Sequence, residues 1–128
     1  MKEIILSADG ESFLYSVPDH VADNLHEYCV EFCNVWLRPG NKDAEHLFLN
    51  NVACYNEHDF IEYLNKYIFP NQTSVLIKNL GWTNLGENLP KEYVKTPYFN
   101  FWLKDGCAYE INSLFFKGNY TRKGTWAL

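Results

Sequence analysis

Residues 21–36, VADNLHEYCVEFCNVW, decide the fold class of this chain. Apolar side chains recur in this stretch at offsets of 0, 4, 7, 8, 11, 12 and 15 from the first, a spacing that keeps them on one side of an α-helix. The pattern stops at Pro39-Gly40, a pair that ends helices. The sequence therefore predicts one long amphipathic helix, with an apolar stripe formed by Val21, Leu25, Tyr28, Cys29, Phe32, Cys33 and Trp36.

A row of acidic residues follows the other side of this helix. The row is spaced four residues apart, roughly opposite the apolar stripe, and consists of Asp19, Asp23, Glu27 and Glu31. Like charges at this spacing each destabilise a helix by about 0.2–0.5 kcal/mol, and no Lys or Arg lies between Lys2 and Arg38 to offset them. This cost indicates an acidic surface for a basic protein partner, which Glu57, Asp59 and Glu62 could extend. A face that only keeps the protein soluble is the alternative interpretation.

The rest of the chain supplies a second helix and two hairpins. Two β-prone runs flank Asp9-Gly10, a dipeptide suited to a tight hairpin turn. A second amphipathic helix begins at Asn56, whose side chain can cap it. Residues 73–80 fit either a short helix or a buried strand, because periodicity does not separate the two at this length. A second hairpin is predicted for residues 99–116, with its turn at Asp105-Gly106.

These elements predict an α+β fold in a single domain, residues 1–128. We expect an antiparallel sheet made from the N-terminal and C-terminal hairpins. The two amphipathic helices should cover one face of that sheet, because each has a single apolar stripe to bury.

Charge and hydropathy exclude several classes of protein. The net charge is −5, which argues against general binding to nucleic-acid phosphates. Residues 1–65 hold twelve acidic and three basic residues (−9), whereas residues 66–128 hold four acidic and eight basic residues (+4). No apolar run approaches the roughly 18 residues of a membrane span, and the N-terminus lacks the apolar stretch of a signal peptide. We expect a cytoplasmic protein that binds neither nucleic acid nor membrane, and the oligomeric state stays open.

Cysteine and histidine spacing leaves two chemical alternatives. Cys29-x3-Cys33 and Cys54-x3-His58 could supply zinc ligands, but structural zinc sites use closer spacings and the first pair lies in the apolar stripe. We therefore assign no metal, cofactor or catalytic residue. A small enzyme with a Cys and a His in one pocket is one alternative. The other is a ligand-binding module in the aromatic C-terminal half, using Trp82, Tyr93, Tyr98, Trp102, Tyr120 and Trp126.

Four segments carry a resemblance to known proteins, and this resemblance covers about residues 1–101. They are Leu6-Ser-Ala-Asp-Gly10, Tyr15-Ser-Val-Pro-Asp19, Asp59-Phe-Ile-Glu-Tyr-Leu-Asn-Lys66 and Pro97-Tyr-Phe-Asn-Phe101. In these segments the chain resembles small, mostly uncharacterised bacterial proteins of the immunity type, which neutralise toxins in competition between bacteria. The resemblance implies a protein that binds and blocks a toxin without catalysis, and it assigns no binding residues.

Overall fold

The structure is a computed structural model that describes residues 1–8, 10–83 and 87–102. The described residues fall into two compact units. Residues 1–28 and 56–101 form the first unit, and residues 29–55 belong to the second. The expectation of a single domain stays a prediction. Most of the predicted hairpin at residues 99–116 lies outside the described residues.

Six strands lie in the described part of the chain: Lys2–Ser7 (β1), Glu11–Val17 (β2), Phe48–Leu49 (β3), Val52–Ala53 (β4), Val75–Trp82 (β5) and Tyr98–Asn100 (β6). Four of them form a sheet in the order β5-β2-β1-β6. The predicted N-terminal hairpin is confirmed, because β1 and β2 pair antiparallel from Lys2–Val17 to Ser7–Ser12. Residues 73–80, which the sequence left open, contribute the edge strand β5, antiparallel to β2.

The sheet is mixed, whereas an antiparallel sheet was expected. The last strand, β6, pairs with β1 in parallel, from Ile5–Tyr98 to Ser7–Asn100. The cause is topological: β6 reaches the sheet after a long connection from β5 on the opposite edge, so its direction is not set by a tight turn. The α+β class predicted from the sequence is confirmed.

The first predicted helix is interrupted. It consists of α1 (Asp19–Asp23), α2 (Leu25–Glu31) and a π-helical turn, Phe32–Trp36. Between α1 and α2, Asn24 leaves helical geometry at φ −134° and ψ 41°, and its side-chain amide donates to the carbonyl of His20 at 2.9 Å. An asparagine that bonds to nearby backbone in this way competes with the helix. The apolar stripe survives the break, since its members are buried or half-buried.

The second predicted helix is confirmed as α3 (Glu57–Tyr63), followed by a π-helical turn, Leu64–Ile68. The Asn56 side chain accepts hydrogen bonds from the N–H groups of His58 and Asp59 at 2.9 and 3.2 Å. In return, the Asp59 carboxylate accepts the N–H of Asn56 at 2.8 Å. This reciprocal cap holds the start of α3 in place.

The core of the first unit lies between the sheet and α3. Ile4, Tyr15 and Phe60 are at most 1% exposed, and the Phe60 ring lies 5.8 Å from that of Phe101, just after β6. Full burial of an apolar side chain of this size contributes about 1.5–3 kcal/mol. The packing fixes the orientation of α3 and therefore of the side chains at its N-terminal end.

The second unit is small and aromatic. The Phe32 ring stacks on Trp36 at 5.5 Å and meets Tyr55 edge-on at 5.7 Å. Asn50 and Asn51, at φ 54° and 67°, make the two-residue turn between β3 and β4, as the twist of a tight hairpin requires. A 3-10 helix, Lys42–Leu47, precedes that hairpin.

Candidate functional site

All four residues of the acidic row are exposed on the interrupted helix. Asp19 and Asp23 lie on α1, and Glu27 and Glu31 lie on α2. Because the helix breaks at Asn24, the row is not the single continuous ridge that the spacing predicted. The two halves have different surroundings.

The first half of the row is paired with cations, which the sequence analysis did not expect. The N-terminal ammonium of Met1 lies 2.9 Å from Asp19, and Lys2 Nζ lies 2.8 Å from Asp23. The hydrogen bond from the ammonium lowers the pKa of Asp19, and the hydrogen bond to Asp23 raises the pKa of Lys2. The expectation of a row without cationic companions is therefore wrong for these two residues, because β1 and α1 are in contact and bring the chain start beside the helix.

The second half of the row has no partner among the described residues. Glu27 and Glu31 are exposed, and neither makes a hydrogen bond or an ion pair within the described residues. The same holds for Glu62 on α3. Two exposed carboxylates one helical turn apart can pair with Lys or Arg side chains of a partner.

The proposed extension of the acidic surface along α3 is wrong for two of its three residues. Glu57 is only 4% exposed, so its carboxylate belongs to the interior. Asp59 is committed to the cap at Asn56. Glu62 alone stays available to a partner.

A tyrosine–histidine pair, which sequence reasoning missed, lies beside the start of α3. The Tyr15 hydroxyl is hydrogen-bonded to His58 Nδ1, and the His58 ring meets Phe13 edge-on at 4.9 Å. Burial, and after it the charge of Glu57, raises the pKa of Tyr15. The phenol therefore keeps its proton at neutral pH. Alternation at Phe13 and Tyr15 signals a strand, but no sequence signal pairs that strand with His58.

The outer face of α3 borders an open groove of about 530 Å³. Two of its polar side chains are already committed, Asp59 to the helix cap and Asn65 to the backbone of Ser74. Glu62 and Lys66 are exposed without an ion pair among the described residues. Because one of these side chains is negative and the other is positive, the groove has no clear preference for one class of small ligand. Its described lining is His58, Asp59, Ile61, Glu62, Asn65 and Lys66.

The structure describes the environments of Cys29, Cys33 and Cys54. Cys29 and Cys54 are free thiols, and burial raises the pKa of both. Neither bonds to a histidine within the described part of the chain, and Cys33 is disulfide-bonded. Across residues 1–8, 10–83 and 87–102, no group of three or more His, Cys, Asp or Glu side chains is placed to hold a metal ion. A thiol with a raised pKa is a poor nucleophile at neutral pH.

The aromatic residues of the C-terminal half divide between core and surface. Trp82 and Trp102 are 71% and 66% exposed, whereas Tyr93 and Tyr98 are half-buried. Tyr120 and Trp126 lie outside the described residues. The Trp82 ring packs against Gly10, so one of its faces covers the end of the sheet.

Comparison with known proteins gives no match: no protein-family model, no curated protein and no solved structure is significantly similar to this chain. No helix in the described ranges has the length and apolar character needed to cross a bilayer.

Proposed function

We propose that this chain is a non-enzymatic inhibitory protein of the immunity type, which acts in the cytoplasm and neutralises a basic bacterial toxin through carboxylates on α2. The observation that carries the proposal is the pair Glu27 and Glu31, exposed and without a cation among the described residues. Repulsion between them destabilises a free helix by about 0.2–0.5 kcal/mol. A basic partner would relieve that repulsion and gain in association rate from complementary charge.

The paired half of the row contributes less to the proposed surface. Asp19 and Asp23 remain more than half exposed, but each already has a cation within 3 Å. A partner lysine would have to compete with Met1 or Lys2 for these carboxylates. Affinity should therefore depend more on Glu27 and Glu31 than on Asp19 and Asp23.

The proposal is tested by affinity purification from the source organism, with identification of the bound proteins. We expect a bound protein with a basic surface, whose Kd rises about tenfold or more in the double variant Glu27→Lys/Glu31→Lys. The matched control is Glu45→Lys, which reverses an exposed carboxylate on the 3-10 helix of the second unit. Recovery of no partner, or equal losses in the double variant and the control, would contradict the proposal.

The cytoplasmic location has its own test in the oxidation state of Cys33. Disulfides persist mainly in oxidising compartments. Cys33 is disulfide-bonded in the structure, so a protein that works in the cytoplasm must have this bond reduced there. Thiol trapping in intact cells should then find Cys33 as a free thiol. A Cys33 that resists trapping until a reductant is added would place the protein outside the cytoplasm.

A further inference from the structure

The strand β5, at the edge of the sheet that the described residues form, exposes three consecutive apolar side chains. Val75, Leu76 and Ile77 are 50%, 49% and 44% exposed. In a regular strand alternate side chains point to opposite faces. The pairing of β5 with β2 is not regular, because it shifts register between Ser12 and Phe13 and again between Leu14 and Tyr15. Such shifts interrupt the alternation of side chains along the strand. Consecutive exposed apolar residues at a sheet edge are unusual for a surface that meets only water.

Lysines border this apolar stretch. Lys78 follows Ile77, and its Nζ lies 5.6 Å from the centre of the Tyr93 ring, which brings the 3-10 turn Lys91–Tyr93 alongside β5. Val94, just after that turn, is 62% exposed. Lys78, Lys91 and Lys95 are exposed and form no ion pair among the described residues. We call this set the β5 surface: Val75, Leu76, Ile77, Lys78, Lys91, Val94 and Lys95.

In the described part of the chain, Glu11 and Glu92 adjoin the β5 surface, and neither forms an ion pair with its lysines. Glu11 accepts a hydrogen bond from the Asn79 side chain at 2.9 Å, and Glu92 is exposed within the 3-10 turn. With three lysines against these two carboxylates, the surface keeps a positive balance in a protein whose net charge is −5. Its sign is opposite to that of the α2 carboxylates.

An added β-strand fits this edge poorly. The Asn65 side chain accepts the N–H of Ser74 at 2.7 Å and donates to its carbonyl at 3.0 Å, so the backbone at the start of β5 is already capped. The register shifts farther along add twist that disfavours a long second ladder. An occupant must therefore bind through the side chains of the β5 surface.

A second copy of the chain also fits poorly. In a two-fold contact the same patch lies on both sides, so the lysines of one protomer would face those of the other across an apolar contact. An acidic occupant has the complementary charge instead. We infer that the β5 surface docks an acidic segment of a partner protein, with apolar side chains on Val75, Leu76 and Ile77 and carboxylates beside Lys78, Lys91 and Lys95.

The test uses a short, fluorescein-labelled synthetic peptide of alternating Glu and Leu as the probe, with its Lys-for-Glu analogue as the charge control. Fluorescence anisotropy should show binding of the acidic peptide alone. Lys78→Glu/Lys91→Glu should weaken binding about tenfold or more, since it reverses two charges. The control Lys42→Glu, in the second unit, should leave the Kd unchanged.

Two further variants separate apolar contact from charge alone. Leu76→Ser should weaken binding, whereas Leu49→Ser, at a residue 67% exposed in the β3–β4 hairpin, should not. Glu92→Lys should strengthen binding, because it removes the opposing charge in the 3-10 turn. Circular dichroism of each variant checks that the fold is retained.

Several outcomes would overturn the inference. Equal binding of the two peptides would show that charge is not recognised. An equal loss of affinity in Leu76→Ser and Leu49→Ser would show that binding is not specific to the β5 surface. Binding of phosphatidylglycerol vesicles without binding of the acidic peptide would identify a lipid ligand. Dimerisation that Lys78→Glu strengthens would identify a second copy. Glu27→Lys/Glu31→Lys should leave probe binding unchanged, so this inference and the proposed toxin-binding function can fail separately.

Discussion

Replacing Gly10 by alanine should destabilise the protein through one ring contact. A Cβ atom at position 10 would lie 2.5 Å from Cη2 of Trp82 and closer still to Cζ3, against about 3.5–4.0 Å for an ordinary carbon–carbon contact. The backbone at Gly10 is held by the N–H of Thr83, which donates to its carbonyl at 3.0 Å. The Trp82 ring must therefore move.

The magnitude follows from the burial that the moving ring loses. Trp82 is 71% exposed, so about three-tenths of its surface is buried, about 70 Å² for a side chain of about 250 Å². At about 25 cal/mol per Å², complete displacement of the ring costs about 2 kcal/mol. Trp82→Ala should cost a similar amount, because it removes the same contact. In that background the contact with the ring is gone, so Gly10→Ala should cost much less than it does in the wild type.

Urea unfolding of the wild type, the two single variants and the double variant measures the coupling between the two positions. We expect a coupling free energy of about 2 kcal/mol, equal to the cost of either single change. Gly40→Ala is the control, since a Cβ there would meet no atom within 4 Å. Additive effects of the two changes, or a loss in Gly40→Ala as large as that in Gly10→Ala, would refute the reasoning.

Three other changes test the contacts around the candidate site. Because the pKa of Tyr15 is raised above 10.0, stability should fall as the pH rises above about 10, and Tyr15→Phe should flatten that fall in a pH series of chemical unfolding. Asn56→Ala removes the cap of α3 and should lower the free energy of unfolding by about 1 kcal/mol, whereas Asn56→Gly should cost only a few tenths of that unit. The pKa of Asp19 lies below 3.8, so its contribution to stability is complete above that pH and is lost as the pH falls through the folded-state pKa. When the N-terminus is acetylated, NMR titration should show that the pKa of Asp19 rises.

Local patterns were enough to predict most elements of the first unit. Alternation in residues 11–17 and the dipeptide Asp9-Gly10 predicted the first hairpin, and Asn56 marked the start of α3. Gly10 has a further role that the sequence did not predict, because Trp82 packs on it and leaves no room for a Cβ atom. Residues 73–80 could not be assigned, because a strand whose exposed side chains are apolar has no alternating pattern.

The acidic row shows which features of the candidate site local sequence patterns do not predict. Spacing identified four exposed carboxylates, and all four are exposed. Spacing did not predict the ion pair between Lys2 and Asp23, because the two residues are far apart in sequence and meet only when β1 packs beside α1. The same limit hid the pairing of Tyr15 with His58.

By itself the sequence determined the α+β class, the two amphipathic helices and the exposure of Asp19, Asp23, Glu27 and Glu31, since each depends on the periodicity or charge of neighbouring residues. Only the tertiary structure decided the parallel placement of β6, the neutralisation of Asp19 and Asp23, and the lysine-bordered apolar surface of β5. The physical reason is that periodicity sets which face of an element is buried, whereas partners across the fold are set by how elements pack. Within residues 1–8, 10–83 and 87–102, Glu27 and Glu31 are the carboxylates of the row without an ion pair.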